Sequence, residues 1–337
     1  MVSRDQKKSL VLMKELQRRS RKCHEFVRKS LLSEKIGNRT LSDALEHYFS
    51  YWNDFSHPGL FSVACQATGQ NPDSMLNPQA ALAMIAAAFD IQDDIIDRSP
   101  AKHGCPTVYG KFGEDMALLL GNAFLIDGFA LLGSAVSKLP IGRARKVFEV
   151  IKNCLFEVGN AHALEMKLKG RRDVPPKEYL HILEMKSASI EADMHIAALF
   201  GTDNRMLTEA LRKYGRTLGI LATLREEFID VFEQEELNRR VQSEALPIPI
   251  MYALHDAQSR VRIRELLDKE KLALRDSQEL VDIVFGSKPL DELKNHMDAL
   301  LIKTMNLVTK IEDQRAKSLA RALSLLEDLA HSMLEDL

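Results

Sequence analysis

Apolar residues recur at three- and four-residue spacing along almost the entire chain, and no run of alternating β-branched residues stands out. This spacing places apolar side chains on one face of a helix. Short stretches that carry Gly, Pro or Asn separate the helix-length segments. These stretches are FSHPG at 55–59, TGQNPDS at 68–74, RSPAKHGCP at 98–106, KGRRDVPP at 169–176, GTDN at 201–204 and GSKP at 286–289. The pattern therefore predicts an all-α protein.

The separating stretches are too short and too varied to be flexible linkers, and the chain contains no internal repeat or low-complexity tract. A chain of 337 residues could hold two domains, but length is only a soft guide to domain number. Hydrophobic residues make up 45% of the chain, which is enough to build a sizeable core. We therefore expect a single large helical bundle that spans residues 1–337.

The longest apolar stretch, Met116 to Val136, is long enough to cross a bilayer. Asn122 and Asp127 interrupt it, and two acidic residues directly precede it. Charged and polar side chains are costly inside a membrane. We therefore interpret this stretch as a buried helix of the bundle.

Charge is unevenly distributed along the chain. The formal net charge of -2 argues against a general nucleic-acid binder. Residues 1–30, however, hold ten Lys and Arg residues against three Asp and Glu. This composition predicts a basic N-terminal helix with a solvated face. The alternative is that this basic face binds anionic lipid or an acidic partner. Any membrane contact would be at most peripheral.

The four cysteines form no CxxC pair, and the sequence shows no secretory signal. Disulfide-bonded proteins concentrate in oxidising compartments. We therefore expect a reduced, cytoplasmic protein.

Three carboxylates stand at the end of an apolar segment, in DDIID at 93–97. Asp93 and Asp97 are four residues apart and share a helix face, with Asp94 about a quarter turn round. Acidic residues are favoured at helix N-termini, whereas these lie late in a helix that ends before Pro100. Clustered carboxylates suit Mg²⁺, which takes oxygen ligands and often bridges to substrate phosphates.

A second acidic group repeats the same spacing with Glu226, Glu227 and Asp230. Alone this is a weak signal, because acidic helix faces are common. Together with the first group it predicts two acidic clusters that face each other across the bundle and hold a metal ion and a diphosphate.

Several segments, in this order, carry a resemblance to a known family: DDIID at 93–97 followed by HGCPTVYGKFGE, GNAFL at 121–125, YLHILEMKSASIEA at 179–192, EEFID at 226–230 and LPIPIMYAL at 246–254. The chain resembles the trans-isoprenyl diphosphate synthases, the polyprenyl synthetase family. The resemblance implies an all-helical fold around a deep cavity. It also implies Mg²⁺ at both acidic motifs, coupling of an allylic diphosphate to isopentenyl diphosphate, and a dimer formed through the GNAFL helix.

The resemblance also implies roles for particular residues. The implied metal ligands are Asp93, Asp94, Asp97, Glu226, Glu227 and Asp230. Lys186 matches the family's lysine that contacts the allylic diphosphate, and Lys102 and His103 stand where two arginines are usual. Phe89, four residues before the first motif, is bulky as in short-chain enzymes, although a core-packing role explains it equally well.

The segment that usually reads GGKRxRP and binds isopentenyl diphosphate reads WNDFSHP at 52–58. Asp54 replaces its lysine, Phe55 and His57 replace its arginines, and Ala86 replaces a helical histidine. The guanidinium group of arginine is always charged and donates several hydrogen bonds to a diphosphate in a fixed geometry, whereas an aspartate would repel the diphosphate. The isopentenyl diphosphate site is therefore expected to be degenerate.

Three hypotheses follow from this mixture of kept and lost residues. The first is a subunit of a heteromeric prenyl synthase, a heterodimer or heterotetramer in which a complete partner supplies the missing site. The second is an enzyme, possible as a homodimer, that passes the allylic group to a different acceptor or cyclises it. The third is a regulatory or structural subunit without turnover.

Overall fold

A computed structural model describes residues 4–102, 104–312 and 320–334, and the predicted all-α class is confirmed. The helices of the described residues are α1 (Arg4–Leu32), α2 (Arg39–Tyr51), α3 (Ser56–Ala67), α4 (Leu76–Ile96), α5 (Val108–Phe112), α6 (Glu114–Val136), α7 (Ile141–Met166), α8 (Pro176–Lys186), α9 (Ala188–Gly201), α10 (Arg205–Phe232), α11 (Gln234–Ser243), α12 (Ile248–Ala253), α13 (Arg260–Leu267), α14 (Leu274–Phe285), α15 (Leu290–Glu312) and α16 (Ala320–Ser332). A 3₁₀ turn, Pro72–Met75, precedes α4. Two short strands, β1 (Ala101–Lys102) and β2 (Cys105–Pro106), form an antiparallel pair after α4.

Most of the predicted separating stretches lie between helices, and their polar residues act as caps. In GTDN, the Asn204 side chain accepts hydrogen bonds from the backbone N–H groups of Met206 and Leu207 at the start of α10. The stretch FSHPG is different, because it forms the first turn of α3. Pro58 is tolerated there, since the first turn of a helix lacks backbone hydrogen-bond partners for its N–H groups.

The central helices α4 and α10 each contribute to two hydrophobic clusters. Along α10, Tyr214 packs into a cluster shared with α3 and α9, whereas Phe228 packs into a cluster shared with α8, α12 and α14. Along α4, Ile85 belongs to the first of these clusters, and Ile91 belongs to a third cluster with α2 and α6. Both acidic motifs therefore lie on helices that are fixed on several sides by buried apolar side chains.

The helix that carries the first acidic motif, α4, packs closely against α6. A Cβ atom added at Gly128 would lie 2.9 Å from Ile85 Cγ1 and 3.1 Å from the Ala81 carbonyl oxygen. Only a glycine allows the two backbones to approach this closely. This contact sets the position of α4 relative to α6.

The expectation that α6 is buried holds for only one face of the helix. Leu120 and Phe124 are buried, but Leu118, Leu119 and Ile126 are exposed, the last at 70%. Within the described part of the chain, α6 is also the one helix that is long and apolar enough to cross a membrane by length and composition. The apolar composition of α6 thus reflects a buried face and an uncovered face, and periodicity alone could not separate the two.

Candidate functional site

Two cavities meet at the C-terminal end of α4. The inner cavity, about 370 Å³, has a largely apolar wall that includes Leu82, Ile85, Phe89, Ile151, Leu155 and Val158. The outer cavity, about 850 Å³, is lined by the segment between α2 and α3, the end of α4, the β1–β2 hairpin and Glu226. The two share four lining residues, namely His57, Ala86, Asp90 and Asp93. A larger groove of about 1270 Å³ beside α1 contains none of the predicted site residues.

Asp93, the first carboxylate of the first motif, lies at the boundary between the two cavities. His162 of α7 places its Nδ1 atom 3.0 Å from Asp93 Oδ1. Burial alone would raise the pKa of Asp93, but the hydrogen bond from His162 and the positive charges of Lys186 and Lys102 outweigh it and lower the pKa. Asp93 is therefore an anion at neutral pH.

Asp94 lines neither cavity and is only 1% exposed. Lys102 Nζ lies 2.8 Å from Asp94 Oδ1 and 2.8 Å from Asp90 Oδ1. Burial, opposed by Lys102 and reinforced by the neighbouring carboxylates, raises the pKa of Asp94 to about 6. Lys102, predicted as a substrate ligand, is thus held between two carboxylates, while His103 lies outside the described residues.

Asp97, the last carboxylate of the first motif, contacts the loop between α7 and α8. Lys169 Nζ lies 3.0 Å from Asp97 Oδ1 and 3.4 Å from the carbonyl oxygen of Ile96. The ammonium group therefore compensates the charge of Asp97 at the end of α4.

The second acidic motif does not present all of its carboxylates to a cavity. Glu226 lines the outer cavity, whereas Glu227 is buried and accepts hydrogen bonds from Arg240 and from the backbone N–H of Ile248. Asp230 accepts a hydrogen bond from the same Arg240. A buried guanidinium thus binds two of the three carboxylates in this structure, and the role of all three as metal ligands stays a prediction.

A polar network links the second motif to Lys186. The Tyr179 hydroxyl lies 2.9 Å from Glu165 Oε1 and 3.0 Å from Glu227 Oε1, and Glu165 forms an ion pair with Lys186. Burial would raise the pKa of Glu165, but the charge of Lys186 and their hydrogen bond lower it. Lys186 also lines the inner cavity, so the network fixes a cation close to Asp93.

Among the described residues, no group of three or more His, Cys, Asp or Glu side chains is positioned to hold a metal ion. Asp93, Asp97 and Asp94 each face a lysine or a histidine instead. The chemistry of the donors nevertheless fits Mg²⁺, since all are carboxylate oxygens. Asp93 and Asp97, one helical turn apart, and Glu226 across the outer cavity could hold the ion once His162 and Lys169 release the two aspartates.

The segment that replaces GGKRxRP forms the start of α3. Asp54 Oδ1 accepts hydrogen bonds from the backbone N–H groups of Ser56 at 3.0 Å and His57 at 3.2 Å. His57 Nδ1 lies 2.5 Å from Asp193 Oδ2 of α9. Burial would lower the pKa of His57, but the carboxylates of Asp193 and Asp54 outweigh it and raise the pKa to about 10.

Sequence reasoning missed several polar residues that surround the predicted ones. These residues are Asp90, His162, Glu165, Lys169, Tyr179, Asp193 and Arg240. Asp193 could have been noticed as one of two carboxylates, with Glu191, within the apolar run of α9. The others carry no comparable signal, because charged residues are common on helix faces.

The family model for polyprenyl synthetase matches residues 38–284. A geranylgeranyl diphosphate synthase of Methanosarcina mazei is 31% identical over 190 residues, which cover 56% of this chain and 58% of that relative, less than two thirds of its length. A geranylgeranyl diphosphate synthase of Sulfolobus acidocaldarius is 22% identical over 269 residues, which cover 79% of this chain and 78% of that relative.

Solved structures share the fold. The geranylgeranyl pyrophosphate synthetase of Pyrococcus horikoshii has a TM-score of 0.77 at 21% identity, over 97% of this chain and 99% of that one. The heptaprenyl diphosphate synthase of Staphylococcus aureus also has a TM-score of 0.77, at 18% identity over 94% of this chain and 97% of that one. Identity this low establishes the fold alone. The family match, which covers most of the chain, establishes more: the protein belongs to the polyprenyl synthetase family.

Proposed function

We propose that the chain is a Mg²⁺-dependent prenyltransferase that binds an allylic diphosphate, with the prenyl tail in the inner cavity. One observation carries this proposal: the apolar inner cavity opens directly onto Asp93 and Lys186. An apolar cavity that ends in charged groups matches an amphipathic ligand with a hydrocarbon tail and an anionic head.

Asp93, Asp97 and Glu226 would hold Mg²⁺, which would neutralise the diphosphate as its bond to carbon breaks. Lys186, fixed by Glu165, would donate hydrogen bonds to the same diphosphate. The apolar wall of the inner cavity would keep water from the allylic cation.

We further propose that the chain does not bind isopentenyl diphosphate well by itself. The cations that could hold a second diphosphate are already engaged, because Lys102 contacts Asp90 and Asp94. The backbone N–H groups of Ser56 and His57 at the start of α3 already donate hydrogen bonds to the Asp54 carboxylate, so they are not available to a diphosphate. A diphosphate in the outer cavity would therefore face more negative than positive charge.

A partner subunit that carries a complete site is the proposed route to chain elongation. The exposed apolar side chains of α6 and α7, such as Ile126 and Phe156, support this proposal. Uncovered apolar surface of this kind marks protein interfaces. A self-complementary dimer surface can also serve a heterodimer after gene duplication, because one copy can lose catalytic groups and still shape the cavity of its neighbour.

Calorimetric titration with farnesyl thiolodiphosphate, which resists ionisation, tests the first part of the proposal. Binding should require Mg²⁺, and Asp93→Ala should abolish it because a metal ligand is lost. Asp115→Ala, which removes an exposed carboxylate at the start of α6, should bind like the wild type. Equal binding in the presence of a chelator would contradict the proposal.

Co-expression with complete prenyl synthases from the same genome tests the partner. Native mass spectrometry should show a mixed complex, and product length should differ from that of the partner alone. Ile126→Glu should dissociate the complex, whereas Ile302→Glu, at an exposed position on α15, should not. If no complex forms while the chain alone releases pyrophosphate, the altered-acceptor hypothesis replaces the heteromer. Binding without any turnover, alone or in a complex, would identify a regulatory subunit.

A further inference from the structure

His57 and Asp193 form a buried pair that joins the first turn of α3 to α9. The two residues are 136 positions apart, and His57 Nδ1 lies 2.5 Å from Asp193 Oδ2. Asp193 is only 5% exposed and lies between Ala192 and Met194, which are also buried. A buried carboxylate without a partner is strongly unfavourable, so each residue needs the other.

The other edge of the His57 ring reaches the boundary that the two cavities share. Its side chain is 26% exposed, and it lines both the inner and the outer cavity. With its pKa raised to about 10, His57 carries a proton on both ring nitrogens at neutral pH. The ring therefore offers an Nε2–H donor to the cavities, while Asp193 cancels its charge.

This boundary is where an acceptor would meet the allylic carbon. Asp93 lines the same boundary and belongs to the motif assigned to the diphosphate end of the donor. The reacting carbon is bonded to that diphosphate, so it must lie close to Asp93. An acceptor that enters from the outer cavity reaches this carbon beside His57 and the small side chain of Ala86.

The outer cavity favours an acceptor without negative charge. Asp93 and Glu226 are assigned to Mg²⁺, and beyond them the carboxylates of Asp54 and Asp90 line the cavity, against the single ammonium of Lys102 and the neutralised imidazolium of His57. Tyr51 and Trp52 line the same cavity, whose volume of about 850 Å³ leaves room for a ring. Carboxylates and aromatic rings together disfavour a diphosphate and accommodate a flat, uncharged molecule.

We propose that His57, positioned by Asp193, selects an uncharged acceptor with a hydrogen-bond-accepting oxygen in place of isopentenyl diphosphate. The inference rests on the first part of the proposed function, an allylic diphosphate bound in the inner cavity, and does not depend on the partner subunit. In the transfer, the acceptor's nucleophilic atom bonds to the first carbon of the prenyl chain as the bond from that carbon to oxygen breaks. The diphosphate leaves with the electron pair and takes up the proton that the acceptor loses.

The test has two stages, so that failure of the proposed function is seen separately. The full chain is first saturated with Mg²⁺ and farnesyl thiolodiphosphate; failure to bind at this stage contradicts the proposed function itself. The complex is then titrated calorimetrically with 1-naphthol and with 1-naphthyl phosphate, which differ mainly in the anionic group. We expect the uncharged naphthol to bind at least about tenfold more tightly than the phosphate.

Variants of the pair show whether His57 is responsible. His57→Ala should weaken naphthol binding about tenfold, whereas His57→Gln, which keeps an N–H donor, should stay within about threefold of wild type. His57→Ala leaves the buried carboxylate of Asp193 without a partner. The double variant His57→Ala, Asp193→Ala therefore provides the same test without that unpaired charge. Circular dichroism and thermal melting confirm that each variant is folded.

Two results would overturn the inference. One is binding of 1-naphthyl phosphate as tight as that of 1-naphthol. The other is unchanged naphthol affinity in the folded double variant, which would mean that the pair only ties α3 to α9.

Discussion

Lys169 Nζ lies 3.0 Å from Asp97 Oδ1, so an ammonium group from the loop between α7 and α8 holds the last carboxylate of the first acidic motif. Lys169 also contacts the carbonyl oxygen of Ile96, which places it over the C-terminal end of α4. A divalent cation at Asp97 would have to displace this ammonium. The protein thus contains its own competitor for the proposed metal site.

Lys169→Met should therefore bind Mg²⁺ more tightly, by about three- to tenfold, because the metal no longer displaces an ion pair worth roughly 1 kcal/mol. Calorimetric titration of Mg²⁺ in the presence of farnesyl thiolodiphosphate measures the change. Lys167→Met is the matched control, since it removes an exposed charge from the same loop. Equal tightening in both variants would point to general electrostatics, and weaker Mg²⁺ binding in Lys169→Met would contradict the prediction.

The helices and the first acidic motif could be predicted from sequence because both depend on local spacing. Apolar periodicity reports which side of a helix is buried, and Asp93 and Asp97 are one turn apart on any α-helix. The same periodicity failed for α6, where an apolar side chain such as Ile126 is exposed. Hydrophobicity does not reveal whether the surface that covers a residue comes from the same chain.

The partners of the charged residues could not be predicted, because they come from distant helices. Arg240 turns back from α11 to bind Glu227 and Asp230, and no spacing rule distinguishes it from its neighbour Arg239. Asp193 meets a histidine 136 residues away. Sequence thus located the carboxylates but not the cations that decide which of them are available to a ligand.

The buried guanidinium of Arg240 should be a major contributor to stability. Arg240→Met leaves Glu227 and Asp230 without their buried counter-charge, so we expect a loss of about 3 to 5 kcal/mol in the free energy of unfolding. Urea denaturation at pH 7 measures it. Arg262→Met removes a half-exposed arginine from two surface ion pairs, which are screened by water, and should cost far less.

Lowering the pH should reduce the loss of stability that Arg240→Met causes. Burial and neighbouring carboxylates already raise the pKa of Asp230 to about 7, although Arg240 opposes them. Without the arginine, the Asp230 carboxyl takes up a proton more readily and loses its charge. The stability difference from wild type should therefore be smaller at pH 5 than at pH 7, and a larger difference at pH 5 would contradict this account.

The His57–Asp193 pair should make stability depend on pH in the alkaline range. The pKa of His57 is raised to about 10 in the folded chain, above its ordinary value of 6.5, by Asp193 and Asp54, with a smaller effect of Asp90. The stabilisation is therefore complete below pH 6.5 and is lost as pH rises through about 10. Burial also raises the pKa of Asp193, and the charge and hydrogen bond of His57 oppose this rise.

Urea denaturation of wild type and His57→Gln between pH 6 and pH 10 tests this dependence. The wild type should lose stability relative to the variant as pH rises, on the order of 4 kcal/mol across the range. The glutamine does not titrate, so its curve reports all other groups. Parallel curves for the two proteins would mean that His57 is not held in its protonated form.

Two glycines of α6 provide a matched pair that tests how tightly this helix holds the acidic motif on α4. At Gly128, an added Cβ would lie 2.9 Å from Ile85 Cγ1 and 3.1 Å from the carbonyl oxygen of Ala81, closer than real Cβ atoms normally approach. At Gly133, one and a half turns further along α6, an added Cβ meets no atom of the described residues within 4 Å.

Gly128→Ala should lower the free energy of unfolding by about 1 to 3 kcal/mol, because the methyl group forces α4 and α6 apart. Gly133→Ala should instead raise it by about 0.5 to 1 kcal/mol, since alanine loses less backbone entropy in a helix. Because α4 carries Asp93, the displacement in Gly128→Ala should also weaken Mg²⁺-dependent binding of farnesyl thiolodiphosphate, whereas Gly133→Ala should leave it unchanged. Opposite signs of the two stability changes, measured by urea denaturation, are the expected result. If both variants are stabilised, the α4–α6 contact is looser than the structure indicates and does not fix the acidic motif.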